Sequence, residues 1–213
     1  YISKEALAEI FKDMTNISYR MEILAEDIDE APGALWKRKD IEDARVRQAP
    51  DLDRIVVAVD PSATSAGDDA GIVVAGKYND EAYILADETL QGSPLTWAEA
   101  TVAAYHKYQA DRIVVEKNNG GEMVELVIRQ VDPNVPITLV NASRSKQTRA
   151  EPVAAQYEQG RIHHVGSFPA LEDEMCLWLP GDPSPNRMDA LVWALTELML
   201  GPQPIDWVKV IGE

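Results

Sequence analysis

Three carboxylate residues stand where predicted strands end or a predicted helix begins, which is where side chains can converge for chemistry. Asp60 ends the apolar run 55–60, Glu116 ends the run 112–116, and Asp189 lies near the start of the last predicted helix. Ligands of open α/β sheets gather at the carboxyl ends of the strands. If the two strands are neighbours, Asp60 and Glu116 lie side by side, and their repulsion raises a pKa unless a cation holds them.

A hard divalent cation suits a cluster of this kind. Mg²⁺ prefers a few carboxylate oxygens together with water and substrate phosphate. The pattern therefore predicts a metal site for phosphoryl chemistry, with two ions about 4 Å apart. Each residue also has an ordinary structural explanation, since Asp60 precedes a proline in a turn, Glu116 could be solvated, and Asp189 could serve the helix dipole.

The order of predicted elements indicates an α/β domain that positions these residues. The predicted strands are 55–60, 71–76, 82–88, 112–116 and 136–140, with a hairpin turn at 77–80. The predicted helices are 93–109, about 121–131, 147–159, 169–178 and 185–200. Three strands in quick succession, then strands that alternate with helices, favour a mixed sheet of five or more strands with helices on both faces.

Residues 1–50 differ from this pattern and are predicted to be a linker or arm, with residues 51–213 as the folded domain. Short helices are predicted at 3–14 and 19–25, followed by acidic and basic clusters around Pro32 and Gly33. Such a segment offers few faces to bury. Trp36 is expected to pin the arm onto a neighbouring surface.

Composition excludes several classes of protein. The 213 residues include 36 acidic and 20 basic side chains, a formal charge of −16, which argues against non-specific coating of nucleic acid. One cysteine, Cys176, excludes an intramolecular disulfide framework and a cysteine-rich zinc site. No apolar stretch approaches the ~20 residues that span a membrane.

Four segments together resemble the nuclease domain of the large terminase subunits of tailed bacteriophages and prophage-like elements. They are IVVAVDPSATSAGDDAGIVVAG, IVVEKNNGGEMVELVIRQVDP, ASRSKQTRAEPVAAQYEQGRIHH and SPNRMDALVWALTEL, and the match covers roughly residues 52–200. The resemblance implies a ribonuclease H-like fold whose second strand runs antiparallel to its neighbours. It also implies that duplex DNA is hydrolysed with two ions of Mg²⁺ or Mn²⁺, which cuts concatemeric DNA to begin and end genome packaging.

The resemblance also assigns roles to the carboxylates. It makes Asp60 the metal-bridging ligand, Glu116 its partner on the neighbouring strand, and Asp189 the ligand from the last helix. Within the pair at 68 and 69, Asp69 is a further candidate ligand, with an acidic surface turn as the alternative. Asn186 stands where related sequences often have Asp, and an amide cannot supply the same charge, so Asn186 is not a candidate ligand.

A basic strip interrupts the acidic sequence between residues 141 and 164. It holds four basic residues against two glutamates, and it is expected to carry DNA phosphates past the metals. A solvated loop and helix face is the alternative. The predicted DNA-binding residues are Arg144, Lys146, Arg149 and Arg161, of which Lys146 or Arg149 could steady the scissile phosphate.

Other conspicuous residues are assigned to structure rather than to chemistry. His163 and His164 are adjacent on a strand and point to opposite faces, so they do not share one metal, and structural or backbone contacts are favoured. Cys176, Trp178 and Trp193 lie in apolar helical patterns and are predicted to be core.

The resemblance extends to partners and location. It implies a preceding ATPase domain, a portal ring, a small terminase subunit and the cytoplasm of a bacterial host, with no membrane contact. Because the sequence contains no G-x-x-x-x-G-K-[ST] phosphate loop, the chain is expected to be the nuclease domain with the linker from its ATPase. The alternatives are another ribonuclease H-like nuclease, of the junction resolvase or transposase type, and a non-catalytic docking module for the portal or motor.

Overall fold

A computed structural model of the chain describes residues 30–61, 69–117, 121–142, 145–183 and 185–201. The strands are β1 (Arg54–Asp60), β2 (Asp69–Tyr78), β3 (Glu81–Asp87), β4 (Leu90–Gln91), β5 (Arg112–Glu116), β6 (Ile137–Val140) and β7 (Ile162–His164). The helices are α1 (Arg38–Asp43), α2 (Pro94–Lys107), α3 (Gly121–Val131), α4 (Lys146–Glu158), α5 (Pro169–Leu177) and α6 (Asn186–Leu195). A π-helical turn, Thr196–Leu200, continues α6.

The strands form one mixed sheet in the order β6-β5-β1-β2-β3-β7, and β4 pairs with the start of β2. β5 is parallel to β1, β6 is parallel to β5, and β7 is parallel to β3. β2 runs antiparallel to both β1 and β3, as the resemblance implied. Since Val59 pairs with Val115, Asp60 and Glu116 end neighbouring strands, which confirms the condition on which the predicted cluster depended.

Helices cover both faces of the sheet, also as predicted. One face packs against α2 and α3 through Val57, Val59 and their equivalents on β2 and β5. The other face packs against α4, α5 and α6 through Val56, Ala58 and the matching positions of the neighbouring strands. Because successive side chains of a strand alternate between faces, the central strands β1, β2 and β5 are apolar over most of their length, as is typical of strands buried on both sides.

Part of the predicted arm packs into the core on the α6 face. Trp36 and Ile41 are each 1% exposed, and the Trp36 ring lies 6.3 Å from that of Trp178. The backbone N–H of Ala31 donates to the carbonyl of Cys176 over 2.8 Å. The sequence did not predict α1, since isolated apolar residues between charged ones show no helical period. The boundary between arm and folded domain at residue 50 stays a prediction.

The other differences from the predicted elements are small. The short strand β4 was not predicted, β7 was expected only as a strand through His163 and His164, and α6 gives way to the π-helical turn at Thr196. The helices predicted at 3–14 and 19–25 lie outside the described residues. Within the residues that are described, no helix is both long and apolar enough to cross a membrane.

Candidate active site

The three predicted carboxylates converge at one end of the sheet, on the face covered by α6. Asp60 shares its face with Val56 and Ala58, and Glu116 shares its face with Val114, all of which pack toward that helix. Asp189 lies in the first turn of α6. The exposed fractions of Asp60, Glu116 and Asp189 are 2%, 4% and 2%. Three buried carboxylates from three separate elements therefore meet in one place.

A close approach between α6 and β2 brings Asp189 to the strands. Gly71 pairs with Asp60 across the β1–β2 ladder. A Cβ atom at Gly71 would lie 2.0 Å from the carbonyl oxygen of Asn186 and 3.0 Å from the backbone nitrogen of Arg187. Only a residue without a side chain lets the first turn of the helix lie so near the strand.

The electrostatics of Asp60 show how tightly these charges are packed. Burial raises the pKa of Asp60 to about 7, and the neighbouring charge of Asp189 adds to the rise. Lys146 and Arg149 lower this pKa, while Glu116 raises it. Asp60 Oδ1 is buried without a hydrogen-bond partner among the described residues. Repulsion among the carboxylates thus adds to the effect of burial, and Asp189 contributes more to it than Glu116 does.

Two cations from the first two turns of α4 partly compensate the carboxylates. The Ser145 side chain accepts a hydrogen bond from the Thr148 N–H and caps the helix, which fixes its start at Lys146. Lys146 and Arg149 are three residues apart and share one helix face. The Lys146 ammonium donates to Asp189 Oδ2, and Arg149 Nη1 lies 3.7 Å from Glu116 Oε2.

Trp193 takes part in the site, although the sequence assigned it to the core. It is 4% exposed, and its indole N–H donates to Glu116 Oε2 over 3.0 Å. The Arg149 guanidinium lies over the same indole, 4.3 Å from the ring centroid. The core assignment was correct about burial, but the hydrogen bond depends on how α6 packs against β5. No sequence signal indicates it.

The donor set fits a hard divalent cation. Carboxylate oxygens are the ligands that Mg²⁺ and Mn²⁺ prefer, and the unpartnered Oδ1 of Asp60 offers one such ligand. As the side chains stand, no group of three or more His, Cys, Asp or Glu residues in the described ranges is arranged to hold a metal ion. Asp189 is engaged by Lys146, so a cation must compete with that ammonium.

Asp69, the fourth candidate ligand, belongs to a separate ion-pair cluster around Arg187. Arg187 Nη1 contacts Asp69 Oδ2 at 3.0 Å and Glu174 Oε1 at 2.8 Å, and its Nε contacts Asp87 Oδ2 at 3.2 Å. Asp68 lies outside the described residues. Since Arg187 is two residues before Asp189, this cluster anchors the helix start that carries the third carboxylate.

The predicted basic strip is not brought together as a whole. Lys146 and Arg149 lie at the carboxylates, whereas Arg161 precedes β7 at the far edge of the sheet. The pairing of β7, β3, β2 and β1 sets Ile162 level with Arg54, the first residue of β1. Arg161 therefore lies at the end of the sheet opposite Asp60. Arg144 lies outside the described residues.

A second buried acidic group, which the sequence did not indicate, holds the predicted arm. Glu172 is 2% exposed and accepts hydrogen bonds from both terminal nitrogens of Arg45, at 2.8 and 3.0 Å. His164 Nδ1 donates to Glu172 over 2.9 Å, and the Tyr157 hydroxyl donates to His164 Nε2 over 2.9 Å. We call these four residues the Glu172 network. The preference for a structural role of His164 agrees with this position.

His163 also makes the backbone contact that was favoured for it. Its Nδ1 donates to the carbonyl of Ala44 over 2.8 Å, and its ring stacks on Tyr83 with 4.9 Å between centroids. The two histidines thus hold the same arm from opposite faces of β7, because successive strand residues alternate.

Comparison with known proteins gives a family and a fold. The family model described as terminase RNaseH-like domain matches residues 57–199. No curated protein matches the chain in a sequence comparison.

Several solved structures are similar to the chain. The large terminase from a thermophilic bacteriophage is 13% identical, with a TM-score of 0.62, over 94% of this chain and 53% of that one. The manganese-soaked, inhibitor-bound terminase nuclease domain of human cytomegalovirus is 20% identical, with a TM-score of 0.58, over 78% and 95% of the two chains. A mutant nuclease domain of the large terminase subunit of bacterial virus Sf6, with manganese and beta-thujaplicinol, is 15% identical, with a TM-score of 0.61, over 80% and 100%.

These similarities establish the ribonuclease H-like fold that the resemblance implied. The chain spans about half the length of the thermophilic phage protein, so it corresponds to part of that large terminase.

Proposed function

Because the chain belongs to the family of terminase RNaseH-like domains, we propose that it is a metal-dependent endonuclease that hydrolyses duplex DNA during viral genome packaging. The observation that carries this proposal is the convergence of three buried carboxylates, Asp60, Glu116 and Asp189, with one oxygen of Asp60 left without a partner. A protein keeps such an unfavourable group where a ligand compensates it.

The three carboxylates would hold one or two ions of Mg²⁺ or Mn²⁺. When bound, such ions polarise a phosphodiester and lower the pKa of attached water. The chain's own residues fix the positions of the ligands: the ends of two neighbouring strands and one helix turn leave little freedom to Asp60, Glu116 and Asp189. The manganese present in the cytomegalovirus and Sf6 structures supports the choice of a divalent metal.

Lys146 would act on the substrate rather than on the metal. Its side chain is 41% exposed, so the ammonium can reach a DNA phosphate as well as Asp189. A phosphate that draws Lys146 away removes its competition with the cation for Asp189 and places a positive charge on the substrate. This exchange would couple the arrival of DNA to completion of the ligand set.

In the full-length protein, the partners would be an N-terminal ATPase domain, a portal ring and a small terminase subunit, in the cytoplasm of a bacterial host. The similarity to the large terminase of a thermophilic bacteriophage supports this assignment. With DNA held mainly by such partners, weak DNA affinity of this acidic chain alone is expected.

Plasmid cleavage with Mn²⁺ tests the proposal. Asp60→Ala is expected to lower the rate by about a thousandfold or more, because metal-derived stabilisation is worth several kcal/mol and each ~1.4 kcal/mol is tenfold. Asp80→Ala, in the exposed turn between β2 and β3, is the matched control and should cut at the wild-type rate. Nicking by Asp60→Ala at the wild-type rate would show the site assignment to be wrong.

The choice of substrate tests the class of nuclease. Linear duplex DNA, a four-way junction and an RNA–DNA hybrid should be compared at equal protein concentration. Duplex DNA is expected to be cut fastest. Faster cutting of the junction would instead identify a resolvase-type enzyme.

A further inference from the structure

A cavity of about 300 Å³ opens beside the carboxylates, between α4, α6 and the π-helical turn. Its volume lies at the lower end of the ~300–1,000 Å³ typical of small-ligand sites. It shares two residues with the candidate active site, since Arg149 and Trp193 contribute to both. The residues that shape it include Asn141, Thr148, Arg149, Pro152, Trp193 and Leu200.

The cavity is electrostatically unlike the rest of the molecule. The whole chain has a formal charge of −16, yet none of the described residues that line the cavity is acidic, and Arg149 supplies its charge. Glu116 lies 3.7 Å from Arg149 Nη1 and compensates this charge only in part, so the guanidinium can still hold an anion in the cavity although the surrounding surface repels one. The ligand class that fits is therefore anionic.

Among the described residues, no group accepts a hydrogen bond from two of the three guanidinium nitrogens of Arg149. Its side chain is 9% exposed, and its Nε and Nη1 atoms are buried without a hydrogen-bond partner within the described part of the chain. Glu116, at 3.7 Å, is beyond hydrogen-bond distance, and Trp193 offers the face of a ring. A buried charged donor left unpaired is costly, and its planar fork matches the oxygens of a phosphate.

The other walls indicate more than a bare phosphate. Trp193, Pro152 and Leu200 provide an apolar surface, and Asn141 and Thr148 add polar groups. An inorganic anion gains nothing from apolar walls, whereas the sugar and base of a nucleotide pack against them. The combination of an arginine with apolar and aromatic walls is suited to a phosphorylated ligand with an apolar body.

We propose that this cavity is a subsite for one nucleotide of the DNA strand being cut, with its phosphate on Arg149 and its sugar or base against Trp193, Pro152 and Leu200. The inference rests on the proposed nuclease function, because DNA is the source of the nucleotide. The proposed subsite differs from the basic strip predicted between residues 141 and 164, because Arg149 would bind the phosphate inside a cavity rather than on an exposed face. Trp193 joins the subsite to Glu116 through its indole N–H.

Titration of the chain with thymidine 5′-monophosphate tests the subsite without cleavage. The experiment is run in EDTA and followed by the ¹H–¹⁵N signal of the Trp193 indole, which the Trp193→Phe variant assigns. The nucleotide is expected to shift this signal. Arg149→Ala should raise the Kd about tenfold or more, because hydrogen bonds to a charged group are worth ~1.5–3 kcal/mol and each ~1.4 kcal/mol is tenfold.

A second variant that fills the cavity keeps the proposal testable if Arg149→Ala does not fold. Leu200 is 40% exposed, so Leu200→Trp is tolerated by the fold but occupies the cavity and should also raise the Kd. The matched controls lie on α3: Leu126→Trp, at a position 63% exposed, and Arg129→Ala, whose side chain pairs with Glu125. Both controls should bind the nucleotide as the wild type does.

Three outcomes would overturn the proposal: no shift of the Trp193 signal, a Kd unchanged by both Arg149→Ala and Leu200→Trp, or equally tight binding of thymidine or of inorganic phosphate. Equal binding of thymidine would show that the phosphate contributes nothing to binding. Equal binding of inorganic phosphate would show that contacts of the sugar and base with the apolar walls contribute nothing. Nucleotide binding by a chain that cuts no DNA would overturn the proposed function and leave the cavity as a nucleotide site.

Discussion

Two equally buried acidic regions of this molecule have opposite electrostatics. Glu172 and Asp60 are each 2% exposed. Burial alone would raise the pKa of Glu172, but hydrogen bonds from His164, Arg45 and the Phe168 N–H outweigh it and hold the pKa well below its usual value. Burial raises the pKa of Asp60 to about 7, and nearby carboxylates add to the rise.

The difference shows that burial by itself does not decide the role of an acidic residue. The Glu172 network supplies donors to both oxygens of its carboxylate, so the group is stabilising where it is. Asp60 has one oxygen without a donor in the described structure, so the group is stabilising only with a ligand. The first region stabilises the fold, and the second is the region that we propose for chemistry.

Removal of Glu172 is expected to have the largest effect on stability. Glu172→Ala leaves Arg45 and His164 without their buried partner, which should lower the free energy of unfolding by about 3–5 kcal/mol. Urea denaturation measures it. The matched control is the adjacent Asp173→Ala, because Asp173 is 58% exposed and its pair with Arg38 should contribute less than about 1 kcal/mol. Equal losses in the two variants would remove the contrast between buried and exposed pairs.

Removal of the Asp60 charge should raise the free energy of unfolding rather than lower it. The folded state raises the pKa from its ordinary 3.8 to about 7, so ionisation disfavours folding as pH rises through that interval. At ~1.4 kcal/mol per pH unit, Asp60→Asn should be more stable than the wild type by up to about 4 kcal/mol at pH 8 in EDTA. The difference should vanish near pH 4, and thermal denaturation at both pH values measures it. If the wild type is more stable than Asp60→Asn at pH 8, the raised pKa of Asp60 is contradicted.

A smaller change tests how the fold sets the position of Asp189. The Cβ of Gly71→Ala would lie 2.0 Å from the carbonyl oxygen of Asn186, so the start of α6 must move. Overpacking of this kind costs about 1–3 kcal/mol, and a shift of ~1 Å at a catalytic group can cost about a hundredfold in rate. Plasmid cleavage and urea denaturation measure the two effects.

Gly76→Ala on the same strand is the matched control for Gly71→Ala. The nearest atom to its Cβ is Leu52 Cδ1, the end of a flexible side chain, and the strand end it occupies is remote from Asp60. It should lose stability but keep its cleavage rate. Equal cleavage by both variants would show that the approach of α6 to β2 does not set the site.

The sequence by itself determined the five longer strands β1, β2, β3, β5 and β6, the main helices and the positions of the three carboxylates relative to them. Local patterns carry this information, because an apolar run defines a strand and its last residue defines the strand end. Four ordered motifs were enough to indicate the family and, through it, the antiparallel β2. Asp60 and Glu116 could be placed together because parallel neighbouring strands end at the same edge of a sheet.

Only the tertiary structure decided which charges compensate one another. Lys146 reaches Asp189 across 43 positions of sequence, and Arg45 reaches Glu172 across 127. No local pattern encodes such pairs, since each depends on how helices and the arm pack on the sheet. For the same reason Arg149 turned out to line a cavity, while Arg161 lies at the opposite end of the sheet from Asp60. Sequence order fixes which groups a strand or helix presents, and packing alone determines which of them meet.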